Sequence, residues 1–206
     1  IEAYVDYWDW SSLSKKVEIP YIINTINQFP WDIDVFLERI DQKELEQILT
    51  TIRDVNAIED WKNITKRVSF EFIEREIQSL PFDLHTLISF GEMQSGNLIL
   101  NNPHLSWDWS LISSTYSINY FILNIETLSP YIDTISVVNR LLKNEADFKL
   151  SFNESKFGSY LIDSLKRTNF KIGKDQDVIL NSEIFEFLSD NDLLFWGNEN
   201  IPGIEA

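Results

Sequence analysis

The sequence predicts an all-α fold, a solenoid-like helical repeat of helix-turn-helix units of about 25 residues, paired into repeats of about 50. The first observation behind this is a self-match. Asp9-Trp10-Ser11-Ser12-Leu13-Ser14-Lys15-Lys16-Val17 aligns without a gap on Asp60-Trp61-Lys62-Asn63-Ile64-Thr65-Lys66-Arg67-Val68, 51 residues on. A further shift of 48 reaches a third copy at Asp108-Trp109-Ser110-Leu111-Ile112-Ser113. The second observation is a recurrent aromatic-Asp-apolar marker. The third is an apolar stripe at helical spacing in every copy. Repeats of this length build stacked helices with extended binding surfaces rather than a catalytic pocket.

The marker stands at Trp8-Asp9-Trp10, Trp31-Asp32-Ile33, Phe82-Asp83-Leu84 and Trp107-Asp108-Trp109. Glu59-Asp60-Trp61 keeps the Asp but loses the first aromatic, and Pro130-Tyr131-Ile132-Asp133 is a degenerate sixth. Spacings between the first five Asp residues are 23, 28, 23 and 25. Asp caps helix N-termini because its carboxylate accepts the orphan N–H groups of the first turn. With Asp9 as the cap, Trp8 and Leu13 take the two positions of a hydrophobic staple. The same register pairs Trp31 with Phe36, Phe82 with Leu87 and Trp107 with Ile112. Pro30 and Pro81 precede the aromatic, as suits a break between helices.

After each odd-numbered marker the spacing predicts a longer helix. Phe70, Ile73, Ile77 and Leu80 fall at i, i+3, i+7 and i+10 of the stretch from Ser69 to Leu80. Ile19, Ile22, Ile26 and Phe29 match them in the first copy, and Ile118, Phe121, Ile125 and Leu128 in the third. The even-numbered units are less regular. They predict helices over Asp41–Thr51 and Asp133–Leu142, with a short one over Asn97–Asn101. The array is expected to span residues 1–145. Residues 146–206 are expected to be a divergent C-terminal cap or the start of a further domain, since terminal repeats are atypical. There Asp147-Phe148 is a worn marker and Phe157–Leu165 a helix. Asp177–Leu188 is also helical in pattern, while Phe148, Leu150 and Phe152 alternate as a strand does. Trp196 belongs to no repeat.

Composition narrows the classes. Lys and Arg number 17 against 33 Asp and Glu, a net charge of -16, so the basic face that nucleic acid requires is not expected. An anionic membrane surface is disfavoured for the same reason, and no apolar run reaches the length of a spanning helix. There is no Cys, hence no disulfide framework and no thiolate chemistry, which suits the cytoplasm. The chain opens at Ile1 rather than Met, which predicts a piece of a longer protein.

Catalytic chemistry is thinly represented. His85 and His104 form no i, i+4 pair, and no phosphate-cradling Gly motif occurs among 6 Gly. Asp32-Ile33-Asp34 and Asp175-Gln176-Asp177 are paired acids of the kind that bind Mg²⁺, but adjacent acids are common in so acidic a chain. Glu154-Ser155-Lys156 after the alternating stretch resembles the E-x-K element of nuclease cores, which needs a strand and a neighbouring Asp. No catalytic, cofactor-binding or metal-binding residue is predicted, and no cofactor.

The Trp-Asp-Trp-Ser-x-Leu/Ile-Ser string, followed by an Ile/Phe-rich helix and another P-[WF]-D, resembles the Trp-Asp-Trp repeats of uncharacterised bacterial and giant-virus proteins. The resemblance covers roughly residues 8–142. It implies helical repeats and supplies no activity. The departures are Glu59, the blurred sixth marker and the divergent last third.

The expected function is therefore a non-enzymatic interaction module that binds a protein partner, basic in character, or another domain of its own chain. The alternatives are an acidic mimic of nucleic acid, which requires carboxylates in paired rows, and a non-catalytic part of a nuclease-type enzyme.

Overall fold

The structure, a computed structural model, describes residues 7–144, 147–149, 151, 155–168 and 189–190. Among them the regular elements are helices, and no strand occurs. The chain divides into two compact units, Ile1–Leu87 and Ile88–Ala206. The first carries α1 (Trp10–Lys16), α2 (Ile19–Thr25), α3 (Ile33–Leu37), α4 (Gln42–Leu49), α5 (Trp61–Arg67) and α6 (Phe70–Glu76). The division falls within α7 (Leu84–Ser89). The second unit carries α8 (Glu92–Asn101), α9 (Trp109–Thr115), α10 (Ile118–Leu128), α11 (Thr134–Leu141) and α12 (Ser155–Arg167).

Every marker Asp caps its helix. The carboxylate accepts the N–H three residues on: Asp9 from Ser12 at 3.0 Å, Asp32 from Val35 at 3.3 Å and Asp60 from Asn63 at 3.0 Å. Asp83 accepts from Thr86 at 2.7 Å, Asp108 from Leu111 at 2.9 Å and Asp133 from Ser136 at 3.2 Å. Asp41 and Glu44 complete a reciprocal capping box at α4. The worn marker works differently: Asn144 Oδ1 accepts the Asp147 N–H, so Asn144 caps the turn that Asp147 was expected to start.

The long stripes are broken at one shared position. α2 ends at Thr25 and α6 at Glu76, and each continues as one further turn closed by Phe29 N–H to Thr25 O and Leu80 N–H to Glu76 O. α10 runs through to Leu128, but Asn124, the residue equivalent to Thr25 and Glu76, has non-helical φ -118°, ψ 18°. The helix expected at Asn97–Asn101 begins earlier, at Glu92, because Gly91 takes φ 85° at its N-cap, which few other residues adopt readily.

Within the first unit α1 packs on α3. Within the second, α10 packs on α8, α9 on α11, and α12 on both α10 and α11. Tyr160 on α12 donates its hydroxyl to Ser129 O at 2.7 Å, and the Thr134 and Ser164 hydroxyls meet at 2.9 Å. The cores are aliphatic and aromatic, with Phe36, Phe72, Phe121 and Phe157 fully buried. Phe148, expected on a strand, is a buried helical residue; Leu150 and Phe152 lie outside the described residues, as do Asp177–Leu188 and Trp196.

Candidate functional site

Three contacts recur between consecutive markers, and together they define what a covered unit needs. The first is an aromatic wedge. Trp10 meets Trp31 edge-on with centroids 5.0 Å apart, Trp61 meets Phe82 edge-on at 5.8 Å, and Trp109 stacks on Tyr131 at 5.3 Å. The odd marker's Trp thus packs on the aromatic of the next marker, an arrangement favoured by the ring quadrupoles. The marker tryptophans were expected both as staples and as wedges between repeats, and these ring contacts join neighbouring units.

The second is a buried hydroxyl. Ser14, Thr65 and Ser113 each stand five residues after an odd marker Asp and are fully buried. They accept the backbone N–H of Asp32 at 2.9 Å, Asp83 at 3.0 Å and Asp133 at 3.1 Å. A buried N–H left without a partner is costly, so the hydroxyl fixes where the next unit starts.

The third is an arginine clamp. Arg39, Arg67 and Arg140 stand seven residues after Asp32, Asp60 and Asp133. Arg39 donates to Ser14 O and to Val17 O, the latter at 2.9 Å. Arg67 donates to Leu37 O at 2.7 Å and Ile40 O at 2.8 Å. Arg140 donates to Tyr116 O and more weakly to Ser113 O. Each guanidinium satisfies carbonyls at the C-terminal end of the preceding unit's first helix, where a positive charge also suits the helix dipole.

Against this background one surface stands open. Trp8, Trp10, Leu13, Val17, Tyr21, Phe29 and Trp31 line a cavity of about 310 Å³ in the first copy. Several equivalent positions are more buried in the other copies, although Glu59, the counterpart of Trp8 in the second, is exposed. Tyr21 is 43 % exposed, whereas its counterparts Phe72 and Tyr120 are 1 % and 7 %. Trp8 is 49 % exposed and Trp107 5 %. Leu13 and Val17 are half-buried, while Ile64, Val68, Ile112 and Tyr116 are buried. The Trp31 indole N–H is already bonded to Thr25, through its carbonyl at 3.3 Å and its hydroxyl at 3.2 Å. The groove is therefore apolar, with ring N–H and phenol groups as its polar atoms.

A second, polar groove lies against Arg140, lined also by Tyr116, Ser117, Asn119 and Asp147. Burial depresses the Arg140 pKa, against the opposing pull of Asp147 and Glu92. Its Nε is buried and has no hydrogen-bond partner. Burial likewise pushes the Tyr116 phenol up to about 12, with Ser95 pulling the other way. The anion that such a place would attract is already supplied by the chain. Glu92 accepts the Ser117 N–H at 2.6 Å and its hydroxyl at 2.9 Å, and Asp147 lines the groove.

The residues weighed from sequence scatter. His85 is exposed on α7 and His104 is exposed in a turn. Asp32 caps α3, and Asp34 accepts the N–H groups of Glu59 at 3.2 Å and Asp60 at 3.4 Å, a backbone role. Lys156 lies on helix α12 and pairs with Glu126, so the strand that an E-x-K element needs is a helix at this residue. Glu154, Asp175 and Asp177 lie outside the described residues. Among the described residues no group of three or more His, Cys, Asp or Glu is placed to hold a metal ion, and no helix is long and apolar enough to cross a membrane. The open groove is thus the surface on which a function can be argued. No protein-family model matches the chain, and neither a curated protein nor a solved structure matches it.

Proposed function

We propose that this chain is a helical-repeat interaction module, part of a larger protein, that binds a protein partner or another domain of its own chain and performs no chemistry itself. One observation carries the reading: among the described residues Trp8 and Tyr21 stand exposed at an apolar groove. Large aromatic side chains left open in an apolar groove are the usual anchors of protein interfaces. The recurrent wedge, hydroxyl and clamp support a repeat array over residues 1–145, as does the resemblance to Trp-Asp-Trp repeat proteins. The packing of α12 on α10 and α11 supports residues 146–206 as a divergent cap. The net charge of -16 favours a basic partner, and the lack of Cys suits the cytoplasm.

The test is co-purification from source lysate in low and high salt, with quantitative mass spectrometry of what is retained. Exposed charges are screened within a Debye length of about 10 Å at 0.1 M salt, so retention of a basic protein should fall as salt rises. Retention indifferent to salt removes the electrostatic part of the proposal, and a chain that retains nothing in either condition removes the proposal itself.

A further inference from the structure

We draw no further inference here: the strongest candidate, the apolar groove of the first copy beside Trp8, Tyr21 and Trp31, is already the surface of the proposed function, and nothing in the structure shows what covers it.

Discussion

The first and third copies share their local chemistry and differ in what lies on top of it. Asp9 and Asp108 cap α1 and α9 alike. Ser14 and Ser113 take the next marker's N–H alike, and Arg39 and Arg140 clamp the same pair of carbonyls. Yet Tyr21 stands open where Tyr120 is buried against α8. Contacts between consecutive markers recur with the sequence, within a copy for Arg39 and Arg140 and between copies for Arg67. Burial of Tyr120 goes with the packing of α8 against α10.

The comparison can be broken most severely at the aromatic face. Tyr120→Ala should cost on the order of 3–5 kcal/mol, because it opens a buried cavity and removes the bond to Gly96. Tyr21→Ala should cost less than about 0.5 kcal/mol, as an exposed substitution usually does. Urea denaturation of the two variants measures both, and equal losses would mean that the two faces do not differ in cover.

The buried hydroxyls sharpen it next. Ser14→Ala and Ser113→Ala should each cost about 1–3 kcal/mol, since each orphans a backbone N–H of the following marker. The two losses should agree within about 0.5 kcal/mol, because this contact does not involve the helix that closes the third copy. A loss confined to Ser113→Ala would tie the hydroxyl to the cover instead.

The smallest effect is acid sensitivity. Hydrogen bonds from Ser12 hold the Asp9 carboxyl below its ordinary 3.8. Burial raises that of Asp133, but bonds from Ser136, Ser110 and Ile135 outweigh it and leave it lowered too. A pKa depressed by folding stabilises above the unfolded value of 3.8, and that part is lost as pH falls through the lower folded value. Asn still caps a helix but does not titrate. Asp133→Asn should therefore flatten the fall in stability between pH 5 and pH 2, and Asp9→Asn, in water, should do so less. Denaturation midpoints across that range read the difference, and an unchanged acid slope in Asp133→Asn would remove its carboxylate from the account.

Much of the local structure was legible because it obeys local rules. An Asp before an apolar helical stripe caps within three residues whatever surrounds it, so all six caps could be placed. The stripes could be placed too, though not the helix ends at Thr25 and Glu76 or the kink at Asn124. The hydroxyls at Ser14, Thr65 and Ser113 recur at a fixed offset from the markers, as do Arg39, Arg67 and Arg140, so their signal was present. Their partners lie 18 to 30 residues away, and no short-range rule names such a partner. The strand expected around Phe148 failed for the converse reason, since three alternating residues bear little information and a buried helical turn uses Phe148 equally well.

By itself the sequence determined where the helices of the six Asp markers begin, which residues are apolar on them, and that the marker motif recurs, because capping and periodicity act over one or two turns. Only tertiary structure decided that Ser14, Thr65 and Ser113 each take the next marker's N–H and that Glu92 accepts from Ser117. It alone showed Tyr21 exposed where Phe72 and Tyr120 are buried. Those outcomes depend on which helix arrives from elsewhere in the chain, and burial belongs to the pair of surfaces rather than to either alone.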